Sequence, residues 1–413
     1  MKKLLLSLAL LLGLSGAAGA ETRYVGGDIS LLPEYEKAGA TYRDRNGRKI
    51  SDLIPWLKEQ GMNAMRVRLF VDPDKYTGSD KDPNACQDLE YIIPLCKRIV
   101  DNGLDLMLDF HYSDTWADPA KQWTPADWKD LTDEQLYQKI YDYTKETLQT
   151  LKDNGIVPSF IQTGNEISYG FLWGPVGTSN PKKAFSGSDA NWERFTTLLK
   201  QAIKACREEC PDAKVIIHTE RVANTGVQTN FYNKMDSYGV EYDIIGLSYY
   251  PYFHGSLSVL DTAIKSLLKY DKDIMIVETG YPYEWEVPGS THDETSTWPY
   301  SEAGQNKFMK DLVDECLQFD RVTGLFWWWL EYNAKDTDLS NWYNAPLFNS
   351  KTGRATPALA TLCTFATGAG VGEITADPAD KGNAAWYDLS GRRVCDTDSP
   401  GLYISRSGKK IVK

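Results

Sequence analysis

The chain has 413 residues, 42% hydrophobic and 25% charged, a balance that supports a large folded core. Its net charge of −12 supplies no basic face, so neither nucleic acid nor an anionic membrane is expected as a partner. Aromatics are abundant, with 13 Trp, 24 Tyr and 13 Phe, and those not needed in a core suit stacking on the C–H faces of sugar rings.

Residues 1–20 read as a secretory signal peptide. Met1-Lys2-Lys3 is a basic start, an apolar run extends from Leu4 to Leu14, and Ala18-Gly19-Ala20 is a cleavage site. The run is too short to span a bilayer, and no cysteine follows it to carry a lipid. An exported protein without membrane insertion is expected, and a monomer is the default. The seven cysteines (Cys86, Cys96, Cys206, Cys210, Cys316, Cys363, Cys395) are odd in number. Cys206 and Cys210 share a helix face near the limit of disulfide reach, and no zinc spacing is present. Most read as buried thiols.

From residue 24 to about 365, strand-like and helix-like segments alternate. Strands are predicted at 24–29, 63–70, 104–111, 159–166, 214–219, 243–250, 273–278 and 322–330, as apolar, β-branched runs. Amphipathic helices lie between them. Over 133–152, Leu136, Ile140, Tyr143, Thr147 and Leu151 keep helical spacing; over 191–209, Phe195, Leu198, Leu199, Ile203 and Cys206 do. Eight such repeats predict an α/β fold, a (β/α)8 barrel over 21–366. The loops after strands 3, 4, 7 and 8 are long and rich in Trp, Tyr, Asp and Pro, which would build a polymer-binding groove on one face. Residues 367–385 read as a linker. Two alternating runs, 386–394 and 402–412, each with a Ser-Gly turn, read as a small C-terminal β-module over 386–413. It resembles the C-terminal modules common on exported bacterial proteins, which implies a sorting or attachment role.

Two predicted strands end in a carboxylate: Phe160-Ile161-Gln162-Thr163-Gly164-Asn165-Glu166 and Ile274-Met275-Ile276-Val277-Glu278-Thr279-Gly280. Their separation is about three βα units at ~30 residues each, which places Glu166 on strand 4 and Glu278 on strand 7. The C-terminal ends of barrel strands share one open face, and two glutamates brought together there suffice to break a glycosidic bond with retention. Strand 3 leads into Asp109-Phe110-His111-Tyr112-Ser113-Asp114-Thr115-Trp116-Ala117-Asp118-Pro119, which packs acids, an imidazole and aromatics at the same end.

Together with Arg66-Val67-Arg68, Ile167-Ser168, Gly170-Phe171-Leu172-Trp173 and Tyr281-Pro282-Tyr283, these segments resemble family 53 glycoside hydrolases, the endo-β-1,4-galactanases of a clan of retaining barrel enzymes. The resemblance covers residues 22–365. It implies Glu166 as general acid/base, Glu278 as nucleophile, and Asn165 on the hydroxyl next to the reacting carbon. Arg66 or Arg68 would keep Glu278 ionised, and Tyr249 or Tyr250 would hydrogen-bond it. His111, His218 and Trp329 would line the reacting sugar, with Asp109, Tyr112 and Asp114 in the surrounding network and Trp116 and Trp173 as stacking platforms. The substrate class implied is β-1,4-galactan or arabinogalactan from pectin. No cofactor is needed for the chemistry. Some relatives tie loops 7 and 8 with calcium, for which His292, Glu294, Asp338 and Ser340 offer ligands here. Another retaining endo-glycanase, such as a mannanase or glucanase, would share both glutamates. A non-catalytic glycan-binding barrel would be expected to lack one.

Overall fold

The computed structural model describes residues 22–179, 182–185, 187–337, 339 and 345–368, with four short strands between residues 386 and 412. The predicted signal peptide and residues 369–385 of the predicted linker lie outside the described residues. Eight parallel strands close into a barrel in sequence order: β1 (Tyr24–Asp28), β2 (Ala64–Leu69), β3 (Asp105–Phe110), β4 (Phe160–Thr163), β5 (Lys214–Thr219), β6 (Ile244–Tyr249), β7 (Asp273–Thr279) and β8 (Val322–Trp327). Closure is direct, with Tyr24 of β1 beside Gly324 of β8 and Gly27 beside Trp327. The architecture is the (β/α)8 barrel that the alternation predicts.

The helices between strands start where the sequence supplies caps. Helix Asp133–Asp153 opens with a capping box, in which the Thr132 hydroxyl accepts from the Gln135 N–H while the Gln135 side chain accepts from the Thr132 N–H. Helix Trp192–Glu209 begins one residue later than predicted, because Asn191 adopts φ 66°. Among the described residues, no helix is long and apolar enough to cross a membrane.

Period-two alternation divides the strands between two packing layers. Ala64, Met107, Phe160, Ile216, Ile244 and Met275 fill the barrel axis, while Met65, Val67, Leu106, Leu108, Ile161 and Ile217 pack against the helices. Two or four residues further along each strand, the same inward positions turn polar: Asp28, Arg66, Asp109, Gln162, His218 and Ser248, all fully buried. The barrel thus carries an apolar plug below and a polar floor above.

One strand breaks the alternation. Leu247 of β6 pairs with Ile276 of β7, but Ser248 pairs with Glu278, so Val277 is an extra residue. Met275 and Val277 both join the axial cluster, and strict alternation would turn Glu278 toward the helices. The bulge returns its carboxylate to the polar floor beside Ser248.

The chain divides into two compact units, up to Gly370 and from Val371. The 3₁₀ turn Thr364–Thr367 closes the first on Gly368, so the first residue of the predicted linker belongs to the barrel unit. In the second, β9 (Trp386–Tyr387), β10 (Arg393–Val394), β11 (Leu402–Ser405) and β12 (Lys410–Val412) form an antiparallel sheet in the order β10-β9-β11-β12. Each predicted run is therefore a pair of strands.

The six described cysteines are free thiols, and all but Cys86 are buried. Burial raises their pKa, that of Cys86 to about 11.

A Cβ on Gly26 would lie 1.8 Å from the Ala64 carbonyl oxygen, since β1 and β2 meet there backbone to backbone. Gly26→Ala is expected to lower stability by about 3 kcal/mol or more, measurable as a fall in the urea midpoint. An unchanged midpoint would show that the strands part without cost.

Candidate active site

The two glutamates reach the floor by different local devices. Glu166 lies three residues beyond the end of β4, after Gly164 at φ 105°, and itself adopts φ 49°. A left-handed backbone at a non-glycine residue is costly and is held by its surroundings. Here the Glu166 N–H donates to His218 Nδ1 at 3.3 Å. Glu278 is carried by the β7 bulge. An oxygen of each carboxylate and one nitrogen of His218 lie within 4.8 Å of one another. The two carboxyls open into a cleft of about 930 Å³, walled by Trp116, Glu220, Tyr250, Trp328 and Trp329, whereas His218, expected against the sugar, is fully buried behind them.

Arg66 organises the floor. Its Nη1 donates to Asp28 Oδ2 (3.0 Å), and its Nη2 meets Asp109 Oδ2 (2.8 Å), Asn165 Oδ1 (2.8 Å) and Glu278 Oε1 (2.9 Å). Between the two candidate arginines, Arg66 therefore holds Glu278. Arg68 instead donates to Asp28 Oδ1 at 2.6 Å and lies beneath Trp116, Trp328 and Trp329, 4.8–5.2 Å from their ring centres. Between the two tyrosines, the Tyr250 hydroxyl donates to Glu278 Oε2 at 3.0 Å, whereas the Tyr249 hydroxyl donates to the Gly255 carbonyl in the helix layer.

Both carboxyls titrate high, for unequal reasons. Burial pushes Glu278 up to about 7, with Arg66 and Tyr250 offsetting part of the rise. Arg66 and Tyr250 are the arginine and tyrosine expected beside it, and they act against that burial. Glu166 is raised well above its usual range by burial, then by the charges of Glu278 and Glu220, with only the Ser248 hydroxyl opposing. It lacks a cation of its own, so Glu278 is the first to ionise and Glu166 keeps its proton. Burial also lowers His111 and His218, and both stay neutral. Asp109 is held below the usual range by Arg66 and His111 despite its burial.

Several predicted contacts are structural instead. Tyr112 follows the outward positions Leu106, Leu108 and Phe110 of β3 and is buried with its hydroxyl on Thr144 Oγ1 at 2.8 Å. Asp114 accepts from the N–H groups of Asp72 and Ala126, bracing two loops away from the cleft. Trp173 is fully buried and donates to the Tyr169 carbonyl, so it is no stacking platform. His111 lies under the floor, accepting from the Ala117 N–H at Nδ1 and meeting Asp109 through Nε2 at 3.0 Å. Trp116 and Trp329 do line the cleft. Asp28, Gln162, Ser248, Glu220 and Trp328 were missed. For the first three, the inward register of strands β1, β4 and β6 was the available signal.

Of the suggested calcium ligands, Asp338 and Ser340 lie outside the described residues. His292 bonds the Thr291 hydroxyl at 3.0 Å. Among the described residues, Glu166, His218 and Glu278 are the one gathering of three such ligands, and none forms at His292 and Glu294. His218 has hydrogen-bond partners at both ring nitrogens, so that trio does not fit a metal.

Paired carboxyls at the C-terminal mouth of a barrel, one held as an acid and one beside an arginine, define a glycoside hydrolase. The sequence profile described as "Glycosyl hydrolase family 53" matches residues 24–362. A "Probable arabinogalactan endo-beta-1,4-galactanase A" from Neosartorya fischeri is 36% identical over 338 residues, 79% of this chain and 89% of the relative. The "Endo-beta-1,4-galactanase" of Bacillus subtilis is 30% identical over 322 residues, 75% of this chain and 71% of the relative. The solved catalytic domain of a family 53 enzyme from Ignisphaera aggregans superposes with a TM-score of 0.71 at 30% identity, covering 83% of this chain and 95% of that one. The chain belongs to glycosyl hydrolase family 53.

Replacing Arg66 by Met would leave Asp28, Asp109 and Glu278 facing one another without their shared cation. A loss of about 3–5 kcal/mol is expected at pH 8. Asp109 and Glu278, left without a cation, would titrate higher in the folded variant, so the deficit should shrink toward pH 5. Urea unfolding at both pH values measures it, and a pH-independent deficit would show that packing rather than charge is lost.

Proposed function

We propose that the protein is an exported endo-β-1,4-galactanase that cuts the galactan side chains of pectin by a retaining double displacement. The observation that carries the mechanism is the carboxyl geometry, with oxygens of Glu166 and Glu278 within 4.8 Å of each other. Retaining enzymes hold their carboxyl groups ~5–5.5 Å apart, whereas inverting enzymes leave ~6.5–9.5 Å for a water. The galactan specificity is supported by the family and by the named activities of its relatives.

In the first step, the Glu278 carboxylate attacks the anomeric carbon as Glu166 gives its proton to the departing glycosidic oxygen. Asn165 accepts from Arg66 and donates one amide hydrogen to the Ala117 carbonyl at 2.7 Å. Its second amide hydrogen remains for the hydroxyl beside the reacting carbon. The glycosyl ester on Glu278 carries no charge, so the repulsion that kept Glu166 protonated is gone and its pKa falls. Glu166 then takes a proton from water as the water oxygen attacks the anomeric carbon, releasing Glu278 as a carboxylate. Trp116, Trp328 and Trp329 offer rings to the sugars along the cleft. No nucleotide or redox cofactor takes part in this cycle.

On linear β-1,4-galactan the wild type should release short oligosaccharides with retained configuration, followed by NMR of the fresh anomer. Glu166→Ala should lose about 10²–10⁴-fold in rate, and Glu278→Ala should be inactive. Cleavage of mannan or glucan in place of galactan would overturn the specificity, and an inverted product the mechanism.

Tyr250→Phe removes a donor to ionised Glu278 and so raises that carboxyl further. The acid limb of kcat/KM should move to higher pH by about one unit. An unmoved acid limb would mean that another group governs it.

A further inference from the structure

The hydrogen bonds behind Glu166 run in one direction. Gln162 Nε2 has two hydrogens; one goes to Asp109 Oδ1 (2.6 Å) and the other to His218 Nδ1 (2.9 Å). The backbone N–H of Glu166 points at the same nitrogen. Two donors converge on Nδ1, so it presents its lone pair. Asn165 Oδ1 lies 3.1 Å from Nδ1, but it already accepts from Arg66. A proton on Nδ1 would also set the Gln162 and Glu166 hydrogens against it. Neutral His218 therefore carries its hydrogen on Nε2, 2.8 Å from Ser248 Oγ. Receiving there, Ser248 sends its single hydrogen to Glu166 Oε1 at 2.6 Å, the nearer of two carboxylates, with Glu278 Oε2 at 3.5 Å.

We infer that Gln162, His218 and Ser248 form a one-way chain of positioning residues that confines the acidic proton of Glu166 to Oε2. Oε1 already faces a hydrogen, so a proton there would meet another. Among the described residues Oε2 has no hydrogen-bond partner, and Glu166 lines the cleft. The proton thus waits on the oxygen left for the leaving group. When Glu166 becomes a carboxylate, the same Ser248 hydrogen stabilises it, so one fixed arrangement serves both steps.

The charges around the chain keep His218 neutral. Burial and the Arg66 charge disfavour a charged His218, against the Asp109 carboxylate. Glu278, Glu220 and Asp118 face Glu166 and favour its protonated form, but none bonds to Oε1. The chain decides which oxygen holds the proton, and the charges decide how tightly.

This inference rests on Glu166 being the acid/base, so the test separates the two. The probes are the 2,4-dinitrophenyl and phenyl glycosides of β-1,4-galactobiose, since the first leaving group needs no protonation and the second does. Gln162→Glu places an acceptor against His218 Nδ1, which turns the chain around and moves the Glu166 proton to Oε1. Its kcat/KM should fall on the phenyl glycoside by a large part of the about 10²–10⁴-fold that a general acid supplies, and at least about tenfold less on the dinitrophenyl glycoside. Ser248→Ala removes a donor to the carboxylate, so the alkaline limb of kcat/KM should move up by about one pH unit. Equal losses on both glycosides in Gln162→Glu, or an unmoved alkaline limb in folded Ser248→Ala, would overturn the chain. Glu166→Ala losing both glycosides alike would instead overturn the acid/base role itself.

Discussion

One buried guanidinium holds the mouth of this barrel together. Arg66 is fully buried, and its two terminal nitrogens reach Asp28, Asp109, Asn165 and Glu278, groups from β1, β3, the turn after β4, and β7. A buried ion cluster is a poor source of net stability, because desolvation cancels most of the attraction. What it supplies here is geometry: four segments distant in sequence share one planar fork. The charge is also rationed. Arg66 and Arg68 are the cations of the floor, and carboxyls outnumber them, so those farther from a guanidinium keep their protons. Glu166 is one. Glu331, pushed up to about 8 by burial and Asp28, is another.

Much of the floor was legible because a barrel strand obeys a simple rule. Glu166 and Glu278 stood out as acids at the ends of apolar runs, and Arg66, Asp109 and His218 as polar residues inside them. The same rule, applied strictly, would have set aside Tyr112 and Tyr249, since each follows the outward positions of its strand. It would also have found Gln162 and Ser248, which share the inward register with Phe160 and Ile244. Applied to β7, however, it would have turned Glu278 away. The extra residue Val277 is set by the pairing of three neighbouring strands and leaves no mark in the sequence of β7 alone. Trp173 shows the opposite failure. Composition cannot separate an indole that closes a core from one that opens to a cleft, because both are apolar loop residues until the loop is folded.

The aromatic wall depends on the charged floor. Trp116, Trp328 and Trp329 crowd over the guanidinium of Arg68, and Trp116 is tied through its Nε1 to Asp82 at 2.8 Å. A cation beneath electron-rich faces fixes their tilt. The three rings also pack on one another, with centres 5.9–6.1 Å apart. Acids and rings thus rest on two arginines of one strand, Arg66 mainly under the acids and Arg68 under the rings.

The free, mostly buried thiols have a practical meaning. The described barrel is locked by closure and burial, with no cross-link between its cysteines. Raised thiol pKa values leave little thiolate to react. A reductant that cleaves disulfides would therefore leave the fastening of the described barrel as it is, since none of its six cysteines is held in a cross-link.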